Sequence, residues 1–94
     1  MHEIFHHIKD NNLEIVKQII NSGIDVNIKS HTGSSILMHM VYKGEIDIVK
    51  YLIQNGADIN NQNRDGHTAL IWAAIKGSKE IIDLLINYGA DVSL

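Results

Sequence analysis

The stretch Asp65-Gly66-His67-Thr68-Ala69-Leu70-Ile71-Trp72-Ala73-Ala74, then Lys76-Gly77, the apolar run Ile81 to Ile86, and Asn87-Tyr88-Gly89-Ala90-Asp91 is one period of a repeat. Working outward from it, Gly23, Gly56 and Gly89 stand 33 residues apart. Gly33 pairs with Gly66, Gly44 with Gly77 and Leu37 with Leu70 at the same step. Asp25, Asp58 and Asp91 each follow the first glycine series by two residues. No insertion breaks the register. A fixed period of this length is the mark of stacked supersecondary units rather than of one irregular core.

Within each period the apolar residues recur at i, i+1, i+4 and i+5: Ile15, Val16, Ile19 and Ile20, then Ile48, Val49, Leu52 and Ile53, then Ile81, Ile82, Leu85 and Ile86. That spacing is one stripe of an α-helix. A shorter helix precedes each stripe, over about Ile4 to Asp10, Ser35 to Lys43 and Thr68 to Lys76. Gly44 and Gly77, with Asn11 in the first unit, stand where the first helix must reverse into the second through a left-handed residue. Ser35 and Thr68 are placed to cap the first helices with their hydroxyls. Gly33 and Gly66 lie in polar stretches, His31 to Ser34 and Asn63 to His67, that read as projecting turns. A helix pair of this size cannot bury its stripe alone, so stability must come from stacking.

This pattern closely resembles the ankyrin repeat, D-x-x-G-x-T-P-L-H-x-A-A-x-x-G followed by an apolar helix and G-A-D-x-N. The second unit matches through Gly33, Ser35, Leu37, Gly44, Ile48, Val49, Leu52, Gly56, Ala57, Asp58 and Asn60. The first unit matches only in its second half, through Ile15, Val16, Ile19, Ile20, Gly23, Asp25, Val26 and Asn27. The resemblance implies an all-α, ankyrin-type helix-turn-helix repeat solenoid of about three stacked units of 33 residues, in one domain over residues 1–94 with units at about 1–29, 30–62 and 63–94. Departures from the pattern carry expectations of their own. Ile36 and Ala69 replace the family's proline, and Met38 and Ile71 its histidine, so the hydrogen bonds that histidine makes between turns should be missing. Met40 and Val41 replace the paired alanines and should widen the packing between units one and two. The last unit has no polar closing repeat after it, which should leave Ile82, Leu85 and Ile86 partly bare. A continuation of the array, or self-association through that uncapped face, is expected to cover them.

Composition narrows the function. A chain of 94 residues with 8 Lys+Arg against 11 Asp+Glu has a formal charge of -3 and no overall basic field for a nucleic acid. The absence of cysteine excludes disulfides and thiolate metal sites and fits a cytoplasmic setting. No apolar run approaches the roughly 20 residues of a membrane span. His2 and His6 share a helical face, yet two imidazoles are not a metal site, and His39 belongs to a neighbouring helix. The repeating aspartates read as turn formers that bond their own backbone. No nucleophile with a base and no phosphate loop is present, so neither an enzyme nor a cofactor is expected.

What remains is a surface for another protein. With Leu70 and Ala74 taken as the inward face of their helix, Trp72, Ile75 and Lys76 point the other way, and His39, Tyr42 and Lys43 are their counterparts in unit two. In unit one the counterparts are His6, Lys9 and Asp10. Stacking gives a row of His6, His39 and Trp72 beside a row of Lys9, Tyr42 and Ile75. The resemblance places partner contacts on such a concave ladder and on the turns, here His31, Thr32, Ser34, Arg64, Asp65 and His67. Trp72 serves equally well as a packing residue in this reading. The alternative function is a structural, self-associating scaffold segment of a longer array with no binding site of its own.

Overall fold

The computed structural model describes residues 13–93. The expectations for the first helix, Asn11, His2, His6, Lys9 and Asp10 lie outside them. Five helices follow in order: α1 (Leu13–Asn21), α2 (Ile36–Lys43), α3 (Ile46–Gln54), α4 (Ala69–Lys76) and α5 (Lys79–Asn87). The pair α2–α3 returns as α4–α5 at the 33-residue step of the glycines. One isolated antiparallel bridge, Lys29 with Ser35, is the extent of β pairing among the described residues.

Each boundary has a chemical cause. The Ser35 and Thr68 hydroxyls accept the N–H groups of Met38 and Ile71, each at 3.2 Å, which makes them the N-caps of α2 and α4. Gly44 and Gly77 end those helices at φ 76° and 69°, a left-handed backbone that a side chain would strain. Asp25, Asp58 and Asp91 each accept the N–H two residues on, at 2.9, 3.0 and 2.9 Å, closing the turn after each outer helix.

The units are joined by packing and by the backbone. α2 packs on α4, α3 on α5 and α1 on α3. Contact is most extensive in the inner row, α2 with α4, and sparser in the outer row, so the inner row is the narrower, concave side. The two projecting turns have the same bonds: Ser30 N–H to Ser34 and Asn63 N–H to His67, both at 2.9 Å. Their tips are linked by Arg64 N–H donating to the Thr32 carbonyl at 3.0 Å. Gly33 makes that approach feasible, because a Cβ there would lie 3.3 Å from the Arg64 nitrogen.

The core runs through the middle unit, and this corrects several expectations. Ala69 and Ala73, rather than Leu70 and Ala74, are the fully buried residues of α4; Leu70 is half-buried and Ala74 exposed. Their counterparts Leu37 and Val41 are fully buried, since a further unit stacks over them and none among the described residues stacks over α4. The same comparison places Val41 toward unit three, not toward unit one. Met40 and Val41 are both completely covered. Leu85 is also fully buried, against the expectation that it would be bare, because α5 packs on both α4 and α3. Ile82 is half-buried, and Ile86 is 46% exposed where its counterpart Ile53 is 8%. The hydrogen bond between turns that the missing histidine would have made has a substitute: the buried Asn61 amide donates to the Gly33 carbonyl at 3.2 Å and to the Met38 sulfur at 3.3 Å.

Candidate partner-binding surface

The inner helices α2 and α4 present an aromatic cluster. Tyr42 and Trp72 meet edge to face with ring centroids 5.3 Å apart. The register pairs Tyr42 with Ile75, yet its ring reaches Trp72 one turn back. Side chains on a helix lean toward its N-terminus, which turns the two straight rows of the sequence reading into a diagonal contact. His67, on the projecting turn, also lies against Trp72, with ring centroids 5.2 Å apart. The Lys76 ammonium sits 4.5 Å from the Tyr42 ring centroid, within cation–π range.

An open cavity of about 250 Å³ lies beside the cluster, lined by Ser34, Met38, His39, Tyr42, Lys43 and Trp72. Met38 is almost entirely covered and forms the floor. Five of these six residues were expected at the surface from the sequence; Met38 was noted only as a departure from the repeat pattern. Its counterpart, Ile71, offered no hint, because the floor depends on how deep a neighbouring ring sits. The larger cleft, about 340 Å³ between Gly44, Ile46, Ser78, Lys79, Glu80 and Ile81, belongs to the hairpin turns at the other end of the helices and contains no aromatic ring.

The remaining expected residues divide. His67 and Lys76 join the cluster through the ring contacts already described. His31, Arg64 and Asp65 are exposed on the projecting turns, away from the cavity. Thr32 is exposed too, but its hydroxyl donates to Ser34 at 3.1 Å and lies 2.9 Å from that of Ser30, so it holds its own turn in shape. Ile75 is 60% exposed beside Lys76 and lines no cavity. Trp72 is half-buried: it packs and presents a face at once. His67 Nδ1 is buried without a hydrogen-bond partner, and its ring meets Trp72 at a tilt of 48°.

Charge is segregated along the same division. Of the nine carboxylates among the described residues, eight stand on the outer helices and the turns at their ends; only Asp65 is on the inner helices or projecting turns. The inner side carries Lys29, Lys43, Arg64 and Lys76. In a chain of net negative charge, the described part of the inner side is therefore positive.

No group of three or more His, Asp or Glu side chains among the described residues is placed to hold a metal ion. None of the described helices is long and apolar enough to cross a membrane. Comparison with curated proteins gives no match. A family model described as ankyrin repeats matches residues 4–94 in three copies, nearly the whole chain. Helix pairs at a 33-residue step, left-handed glycine caps, linked turn tips and that match agree, and the chain belongs to the ankyrin-repeat family, whose members generally serve as protein-protein interaction modules and are typically not enzymes.

Proposed function

We propose that this chain binds another protein through the concave face of its inner helices and the adjoining turns, with Tyr42, Trp72 and Lys76 at the centre. The single observation that supports this is the aromatic cluster beside an open cavity. Tyr42 is 51% exposed although it sits on the best-buried of the described helices. Nothing in the packing of the core requires an exposed tyrosine there, whereas tyrosine, tryptophan and arginine dominate binding energy in interfaces. The turns carrying His31, Arg64 and Asp65 extend the same surface as its rim. The proposed setting is cytoplasmic.

The test is a quantitative pull-down from cell extract with the wild-type chain and a Tyr42→Ala, Trp72→Ala, Lys76→Ala variant, both verified as folded by circular dichroism. Loss of a specific partner in the variant supports the surface. A partner retained equally by both proteins defeats it.

A second reading has its own observation. Leu70, Ile82 and Ile86 form an apolar end face whose counterparts one unit earlier, Leu37, Val49 and Ile53, are buried, and Val92 is 71% exposed where its counterpart Ile59 is half-buried. In this reading the chain self-associates through the α4–α5 end as a scaffold. Sedimentation velocity over a wide concentration range would then show a dimer that Ile86→Glu dissolves, and a strict monomer at high concentration removes the idea.

A further inference from the structure

We infer that the partner docks as an acidic segment carrying one apolar side chain, which enters the cavity beside Tyr42 and Trp72. This rests on the interaction surface proposed above and names the chemistry that the surface selects. Two independent features of the molecule lead to it.

The first is the cavity. At about 250 Å³ it lies below the roughly 300–1,000 Å³ of sites that enclose a small molecule, so a single side chain is the fitting occupant. It is lined by Tyr42 and Trp72 together with the almost fully covered Met38. These surfaces favour an aliphatic or aromatic anchor, and methionine adapts its shape to the one that arrives. His39, Lys43 and Ser34 complete the rim with polar groups.

The second is charge. Lys43 lines the cavity, Lys76 lies over the Tyr42 ring, and Lys29 and Arg64 stand on the exposed turns, with Asp65 as the lone carboxylate on this side among the described residues. The outer surface, with eight carboxylates against Lys17, Lys50 and Lys79, repels an acidic chain. An acidic segment is thus steered to the concave side and away from everywhere else. A nucleic acid is the weaker match. Among the described residues the four cations of this side, spread over two turns and two helices, fall short of the roughly six to ten phosphate contacts of a strongly salt-dependent nucleic-acid interface, and half-buried Trp72 offers no row of stacking platforms.

Selection of a random dodecapeptide library on the immobilised 94-residue chain tests the inference. Recovered peptides are sequenced, then titrated by fluorescence anisotropy against the wild type, Tyr42→Ala, a Lys43→Gln, Lys76→Gln pair, and a Lys17→Gln, Lys50→Gln pair on the outer helices. The expected peptides carry Asp or Glu on both sides of a Leu, Ile, Met or Phe. Their affinity should fall about tenfold in Tyr42→Ala and about tenfold in the inner lysine pair. It should weaken on raising salt from about 50 to about 300 mM, and stay within about twofold in the outer pair. Neutral or basic peptides that still depend on Tyr42 overturn the partner chemistry and leave the binding surface standing. Peptides indifferent to Tyr42→Ala and to the inner lysines overturn both, and recovery of no peptide overturns the inference. A twenty-residue oligothymidylate that binds with the same dependence on Tyr42 and the inner lysines, more tightly than any recovered peptide, overturns the peptide as the partner.

Discussion

Asn27 and Asn60 hold the turns of successive units together. The Asn27 side chain donates to the Gly56 carbonyl at 3.1 Å and accepts the Asp58 N–H at 2.6 Å, so one amide satisfies two backbone groups of the next turn. Asn60 repeats this toward Gly89 and Asp91 at 3.5 and 2.7 Å. At the third position of the series stands Ser93, whose hydroxyl instead donates to Asp91 of its own turn at 2.6 Å. Replacing Asn27 with alanine leaves the Asp58 N–H and Gly56 carbonyl without this partner and should cost about 1–2 kcal/mol in urea unfolding. The Ser93 hydroxyl, followed by its N–H, holds the exposed Asp91 carboxyl below the ordinary value of 3.8. Because the folded value is depressed, the stabilisation is present at neutral pH and is lost as pH falls through that lowered value. In Ser93→Ala the Asp91 carboxyl, followed by carbon-13 NMR titration, should move up toward 3.8; an unchanged value would exclude the hydroxyl as the main cause.

At the scale of the element, a helix of eight residues such as α2 or α4 is too short to persist by itself in water. Its hydroxyl cap and left-handed glycine define where it begins and ends, and burial against a neighbour keeps it folded. Leu37 and Leu70 isolate the second contribution, since both occupy the second position of an inner helix and differ in what covers them. Leu37 is 1% exposed, and Leu37→Ala should cost about 2–5 kcal/mol. Leu70→Ala, at a half-buried site, should cost less than half of that in the same urea titration. Equal losses would mean that the end of α4 is covered in solution, which is what self-association through that face requires. The inner face was legible in part: periodicity and the unit-to-unit register set Tyr42, Ile75 and Lys76 outward, and all three are exposed. Periodicity misassigned Leu70 and Ala74, because the helical stripe is wide and spacing does not say which of its edges a neighbour will cover.

At the scale of the whole molecule, stability is shared between adjacent units rather than held in one centre. The middle unit packs on both sides, whereas α5 packs on α3 and α4 and leaves Ile86 exposed. Amide hydrogen exchange should therefore be slower in α3 than in α5, and uniform protection across the two helices would contradict the stacking account. The sequence by itself determined the repeat, its 33-residue step, the helix pairs, the caps and the aspartate turns, because each depends on contacts within a few residues of the chain. Only the tertiary structure decided that Tyr42 reaches diagonally to Trp72, that Met38 floors a cavity, that Asn61 reaches across to Met38 and Gly33, and that Leu85 is buried while Ile86 is not. Those depend on the distance and tilt between stacked helices, which arise from side-chain volumes in neighbouring units and leave no period in the sequence.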